Sequence, residues 1–392
     1  MGHKVLITRD RESREVTAQT PMFVPQFAPF IGHEEFLAME DCFTNNWITE
    51  GPKAEEFVHK LKAMLGVRFA SLASNGTLAL YLALRALGIK RGDEVIVPDF
   101  TFIAAANAVE MAGAIPIFVD VREGTLQIDI SKCERLLTSK TTAIMPVPVL
   151  GSTPDYNEVM AFARSHQLLV IEDACESLGV TFKGKSAGTF GDAGCFSFFA
   201  DKTVTTGEGG LVVTDREDVY ERLRRLRNQG RINRGSFIHP EIGYNFRMTD
   251  FQCAIGLVQL GKFPQIVQRK REIVDRYTER LGNIRQVRQT EIEPGSTYIP
   301  FRVTLLAERA HELMEFLTTN GVQTRSLFYP LHKQACFEGL KQYFHPTLKL
   351  EDSQFPIATH AYNHGVCLPS FVALTPEQID YVCDQIEAFY GR

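Results

Sequence analysis

The chain has 392 residues, of which 44% are hydrophobic, enough to bury a core for one large domain plus a smaller one. A net charge of -5 gives no electrostatic reason to expect nucleic acid or an anionic membrane as partner. No apolar stretch approaches the roughly 18 residues of a membrane helix, and the N-terminus lacks the apolar run of a signal peptide. Eight cysteines occur without a C-x-x-C pair and mostly among apolar residues. They read as reduced core thiols of a cytoplasmic protein, not as a disulfide frame, and no metal site is expected.

In chain order, residues up to about Pro25 are polar and mixed, with a short β-like patch at Val5-Leu6-Ile7. Gly32 to Phe43 has the spacing of an amphipathic helix. Trp47 to Pro52 reads as a turn before a second helix. Ser74-Asn75-Gly76-Thr77 opens an apolar helix to about Leu87. Strand and helix then alternate. Short apolar strands are expected at Glu94–Pro98, Ile115–Asp120, Ala143–Val147, Leu168–Glu172, Gly194–Phe198 and Gly210–Thr214, and a helix at Thr101–Met111. Such a pattern predicts a mostly parallel sheet covered on both faces, with ligands beyond the carboxyl ends of its strands. The basic run Arg222 to Arg227 reads as the solvated face of a helix.

Thr249 to Leu260 is helical in pattern, Lys262-Phe263-Pro264 interrupts it, and a charged helix follows from about Gln265 to Leu281. That break sets the expected domain boundary. Beyond it come strands near Tyr298–Leu305 and Val322–Leu327 and helices at Glu308–Asn320 and Thr375–Tyr390, the last with Pro376 behind a Thr375 cap. The expected organisation is an extension over 1–28, a large α/β domain over 29–264, and a small α+β domain over 265–392.

Three segments offer chemistry. Lys202, in the apolar stretch leading to Gly207-Glu208-Gly209-Gly210, is costly to bury as a cation. Burial would favour the neutral amine that an imine-forming lysine needs. A surface lysine on a turn is the competing reading. Asp173, at the carboxyl end of an apolar strand, can pair with a cationic ring nitrogen or simply cap a helix. Ser74-Asn75-Gly76-Thr77 offers free amides and a helix dipole to a phosphate, or is an ordinary cap. Together, a phosphate cradle, an acid for a ring nitrogen and a lysine amine are the parts a protein supplies to pyridoxal phosphate (PLP).

At these residues the sequence resembles the DegT/StrS nucleotide-sugar aminotransferases, PLP enzymes of fold type I related in fold to aspartate aminotransferase. The resemblance runs from about Pro29 to the C-terminus. It rests on Gly188-Thr189-Phe190-Gly191-Asp192, Phe196 to Phe199, Lys202, Thr206 to Gly210, Asn75-Gly76-Thr77, Glu172-Asp173-Ala174 and Gly243 to Asp250. It implies that Lys202 holds the cofactor covalently and that Asp173 faces the pyridine nitrogen. Glu176 then lies by the ring hydroxyl and Phe102 stacks on the ring. Gly76, Thr77 and Ser197 hold the phosphate. It also implies a homodimer with shared active sites, Asn245 reaching the phosphate of the partner subunit.

Two segments depart from the usual pattern. Pro148-Val149-Leu150-Gly151 stands where many members have His-Leu-Tyr-Gly, so no histidine role carries over. Arg227-Asn228-Gln229-Gly230-Arg231 has glutamine where histidine is common. In that it is similar to the perosamine synthases, which aminate carbon 4 of a GDP-linked 4-keto-6-deoxymannose. The resemblance thus implies glutamate as donor, a nucleotide-linked 4-keto-6-deoxy sugar as acceptor, and Arg231, Arg234, Arg325 and His332 as substrate contacts. Ordinary surface charge is the other reading of those four. A UDP- or dTDP-linked sugar or a cyclitol is the alternative acceptor. A sugar dehydratase of this fold carries histidine in place of Lys202. A non-catalytic regulator would not need the cofactor residues.

Overall fold

The computed structural model describes residues 22–233, 235, 237–342 and 350–391. The Val5-Leu6-Ile7 patch and Arg234 lie outside the described residues. The strands are β1 (Phe69–Ala73), β2 (Glu94–Pro98), β3 (Ile115–Val119), β4 (Thr141–Ile144), β5 (Leu169–Asp173), β6 (Thr181–Phe182), β7 (Lys185–Ser186), β8 (Ala193–Ser197), β9 (Gly210–Thr214), β10 (Val287–Gln289), β11 (Val303–Ala307), β12 (Arg325–Ser326) and β13 (Gly365–Leu368). The helices are α1 (His33–Thr44), α2 (Pro52–Leu65), α3 (Gly76–Ala86), α4 (Ala104–Met111), α5 (Tyr156–Ser165), α6 (Glu217–Leu226), α7 (Asp250–Leu281), α8 (Ala310–Thr319), α9 (Pro356–His364) and α10 (Pro376–Phe389).

Seven strands form one sheet in the order β1-β9-β8-β5-β4-β2-β3. The β2–β3, β2–β4, β4–β5 and β5–β8 pairings are parallel, whereas β9 runs against both β1 and β8. The all-apolar strands are long enough to cross this layer and no longer. Both faces are covered. Leu80, Leu84, Phe100, Val109 and Phe162 belong to one core. Phe57, Leu61, Phe198, Leu211 and Val213 build the other. Four antiparallel strands, β10-β11-β13-β12, form a second sheet. Its core joins Leu305 and Val366 to Leu313, Leu317, Ile379 and Val382. β1, β13 and α9 were not expected from the sequence. β1 lies in a mixed apolar and small-residue stretch without alternation.

The break expected at Lys262-Phe263-Pro264 is absent: α7 is one helix of 32 residues with Pro264 inside it. Pro264 is on the exposed side, so the turn before it can give its freed carbonyl to water while the helix continues. The change of core happens within this helix. Cys253, Leu257 and Leu260 pack with Phe57 and Phe198, and Ile273, Tyr277 and Leu281 pack under the four-stranded sheet. Within the expected N-terminal extension, Val24 is buried there too and bridges Val322, its amide bonding Gly321 O at 2.9 Å.

Buried carboxylates tie the connections. Glu172 accepts from the amides of Gly188 (2.7 Å), Phe190 (2.5 Å) and Gly191 (2.7 Å), so the Gly188 to Asp192 motif is the wrap that neutralises it. Gly188 has φ +82, and a Cβ on Gly194 would lie 1.9 Å from Gly188 O. The arginines of α6 are internally paired: Arg222 and Arg225 with Glu241, and Arg224 with Glu221. Asp250 accepts from the amides of Gly51 (2.8 Å), Ala54 (3.0 Å) and Lys53 (3.1 Å), closing the N-terminus of α2. Asp250→Ala leaves these amides without their charged acceptor. A loss of about 2–4 kcal/mol is expected, read as a lower urea midpoint at unchanged slope.

Candidate active site

The carboxyl ends of the parallel strands open into a cleft of about 820 Å³. Gly76, Thr77, Phe102, Asp173, Glu176, Ser197, Lys202 and Arg325 all line it, so residues as far apart in sequence as Gly76 and Arg325 meet there. Asn245, Arg231 and His332 do not line it.

At one end α3 begins at Gly76, with Asn75 as N-cap, its side chain accepting from the Leu78 amide at 2.9 Å. The first amides of the helix have no partner within it and point outward. A Cβ on Gly76 would lie 2.8 Å from Ser197 Cβ and 3.0 Å from Cys175 Sγ. The glycine thus lets three chain segments converge at the helix start.

Asp173 ends β5 and is only 5% exposed. Its Oδ1 accepts from the Cys175 amide at 3.3 Å. Burial pushes its carboxyl pKa up, against the pull of Cys175 and of the Lys202 cation. Glu176, also buried, is pushed up by burial and drawn back by Lys202 and by the Leu150 amide. That amide bonds Glu176 Oε2 at 3.0 Å. Leu150 stands at φ +60, a conformation that strains a branched side chain. The departing segment Pro148-Val149-Leu150-Gly151 thus holds the Glu176 carboxylate through a backbone amide.

Lys202 Nζ lies 3.9 Å from Glu176 Oε1 and 4.0 Å from Asp201 Oδ1. Its ammonium rests 4.1 Å from the centroid of the Phe301 ring. Asp201 is tied to Arg302 at 2.5 Å, and Arg302 also bonds Gln26 Oε1 at 2.9 Å. Lys270 Nζ holds the Pro300 and Phe301 carbonyls at 3.0 and 3.3 Å. Burial, with Arg302 nearby, draws the Lys270 pKa down to about 8. Phe301, Arg302 and Asp201 were not singled out from the sequence. The signal was an aromatic and a cation just before the apolar run of β11, too common a pair to stand out.

Phe102 is 58% exposed and lines the cleft, with Phe328 tilted against it at 6.5 Å. Arg325 is exposed in β12, and no ion pair to it is seen among the described residues. His332 departs from its expected place. Its side chain is 1% exposed, with Nδ1 2.7 Å from Asp99 Oδ2 and Nε2 3.0 Å from Asp352 Oδ1. Both ring nitrogens are engaged, so a direct substrate contact is replaced by an internal tie. Asn245 is exposed and accepts from Arg247 Nε at 2.9 Å, on a segment bridged to Asn228. Arg231 lies 5.1 Å from the centroid of the Phe237 ring.

Gly76→Ala should force α3 from Ser197 and Cys175. Affinity for pyridoxal phosphate, followed by equilibrium dialysis, is expected to fall at least about tenfold with helix content unchanged by circular dichroism.

Three comparisons bear on this site. The model of the DegT/DnrJ/EryC1/StrS aminotransferase family matches residues 29–387. The GDP-perosamine synthase of Escherichia coli O157:H7 is 40% identical over 371 residues, 94% of this chain and 99% of that protein. The GDP-perosamine synthase of Vibrio cholerae is 33% identical over 375 residues, 94% of this chain and 99% of that one. Among solved structures, a putative sugar aminotransferase from Streptococcus pneumoniae in its PLP form superposes with TM-score 0.85. It is 26% identical, covering 94% of this chain and 97% of that chain.

Proposed function

The chain belongs to the DegT/DnrJ/EryC1/StrS aminotransferase family, and we propose that it moves an amino group from glutamate to the 4-keto carbon of a GDP-linked 6-deoxy sugar, using pyridoxal phosphate. The observation that carries the reading is the convergence of Lys202, Asp173 and the Gly76 helix start on one cleft. The residues fit the cofactor. Asp173 is a buried carboxylate raised by desolvation, and a cationic ring nitrogen would relieve that. The α3 start is a ready cradle for a dianion.

Pyridoxal phosphate, when bound, supplies an electron sink that lets an amino group leave one carbon and join another. Gly76 and Thr77 would give their amides, and Ser197 its hydroxyl, to the phosphate. Asp173 would keep the ring nitrogen protonated. Glu176 would lie by the ring hydroxyl, and Phe102 would cover the ring face. Lys202 would hold the cofactor and, when free, would take the proton from the donor's α-carbon and later deliver one to carbon 4 of the sugar. Phe301 beneath it and the carboxylates beside it support the amine at that point. Arg325 faces the cleft and suits the pyrophosphate, which is doubly anionic and needs donors outside the cofactor pocket.

The GDP-linked acceptor is supported by the names of the two relatives at 40% and 33% identity. The test uses ¹⁵N-glutamate with GDP-, UDP- and dTDP-linked 4-keto sugars, read by mass spectrometry. We expect the label in the GDP-linked product at a specificity constant at least about tenfold above the others, and none with Lys202→Ala. A preferred UDP- or dTDP-linked acceptor would overturn the choice of nucleotide. No transfer to any of them would overturn the reaction.

We propose a homodimer in which Asn245, exposed and outside this cleft, reaches the neighbour's site. A closed two-fold pair makes two equivalent sites from both chains. Mixing inactive Lys202→Ala with inactive Asn245→Ala should restore activity in mixed dimers, where one site carries both defects and the other neither. Zero recovery after verified subunit exchange would exclude sharing.

A further inference from the structure

We propose that His332 is a positioning residue whose protonated ring, bridged between Asp99 and Asp352, holds the wall of the nucleotide-sugar cleft against the loop that carries Phe102. This rests on the nucleotide-sugar reading above and assigns its cleft a pH-dependent clamp. Asp99 follows β2 and is fully buried, three residues before Phe102. Its two oxygens take the His332 amide (2.7 Å) and the His332 ring (2.7 Å), and its carbonyl takes the Leu331 amide (3.0 Å). Three bonds thus fasten residues 331–332 to the end of β2.

What they fasten lines the cleft. Phe328 and Tyr329 are cleft residues just before the clamp, and Gln334 is one just after it. Phe328 packs edge-on against Phe100, centroids 5.3 Å apart, and lies 6.5 Å from Phe102. The clamp therefore sets how closely the Arg325–Tyr329 segment approaches the Phe102 loop. The ring itself is stacked on Phe355 at 4.5 Å and touches no cleft surface.

The charged groups facing His332 are Asp99 and Asp352. Lys333 reaches the other oxygen of Asp352 at 3.0 Å, and Asp120 beyond Asp99 is paired with Lys132 at 2.8 Å. Burial draws the His332 pKa down, but Asp99 and then Asp352 more than reverse this, so the net direction is upward. Burial also pushes Asp99 up, with His332 pulling it back. A neutral imidazole has one N–H, so it can serve only one of the two carboxylates; the other nitrogen then turns a lone pair toward an anion. With the His332 pKa raised, the clamp is complete below the ordinary histidine range; as pH rises through the raised value the ring gives up one of its two carboxylates and the clamp loosens, while the two backbone bonds to Asp99 remain.

The experiment measures binding of keto-free nucleotide sugars, GDP-mannose, UDP-glucose and dTDP-glucose, to the PLP-loaded protein by calorimetry from about pH 6 to about pH 9. Their pyrophosphate diesters do not titrate there. Wild-type affinity for the best of them should fall about five- to tenfold across one proton's titration. Asp352→Asn, a change at an exposed residue, should move the midpoint to lower pH. His332→Gln should abolish the pH step, holding the affinity near the high-pH level, while PLP affinity changes less than about twofold. A flat wild-type profile, or an Asp352→Asn midpoint that does not move, overturns the clamp even if His332→Gln fails to fold. Absence of binding by all three sugars overturns the nucleotide-sugar reading and the clamp with it.

Discussion

The arrangement depends on holding a carboxylate, Asp173, inside the end of a parallel sheet. Moving that charge out of water costs several kcal/mol unless something compensates it. Burial indeed dominates its titration, with Cys175 and Lys202 pulling the other way. The neighbouring residue shows the contrast. Glu172, one position earlier on the opposite side of β5, meets three amides of a loop shaped around it. One carboxylate is consumed by the fold; the other is left with capacity for a cation entering the cleft. The two side chains alternate across one strand, so the sheet's own period of two separates scaffold from chemistry.

The same separation explains what could be read from the sequence. The parallel strands were legible because both their faces are covered, which demands short continuous apolar runs such as Val95–Pro98 and Ile115–Val119. β1 was not, because Phe69 to Ala73 mixes alanine and serine with larger residues and pairs only at the sheet's edge with β9. Pro264 misled, since a proline signals a break but an exposed one in a long helix loses only one hydrogen bond. At the site, Lys202, Asp173 and the Gly76 turn each had an ordinary reading alone; only taken together and with the family resemblance did they point to one cleft, which all three line. His332 was legible as a polar residue in the right segment, yet nothing local shows a side chain turning inward to carboxylates 233 positions before it and 20 after it.

The Gly188 to Asp192 motif carries a related lesson. It opens the most specific stretch of the resemblance, and its own geometry is structural. Its amides wrap Glu172, and Asp192 accepts from the Val170 amide at 3.0 Å while pairing with Arg216. A recognisable motif need not touch a ligand. This one holds β5 and β8 in register so that Asp173, Ser197 and the segment leading to Lys202 emerge side by side.

Lys202 stands where the two sheets meet, and that placement has a mechanical consequence. The large sheet supplies its backbone through the segment after β8, but the surface on which its ammonium rests, Phe301, leads into β11 of the other sheet. Arg302 then reaches back to Asp201, next to the lysine, and to Gln26 in the N-terminal segment. Lys270 on α7 pins the Pro300 and Phe301 carbonyls from below. Movement of the four-stranded sheet relative to the seven-stranded one would therefore carry the lysine's support with it. The Asp201–Arg302 ion pair and the Asp99–His332 hydrogen bonds, each joining residues far apart in the chain, oppose such movement and tie the lysine's support and the cleft wall at Phe328 to the large sheet.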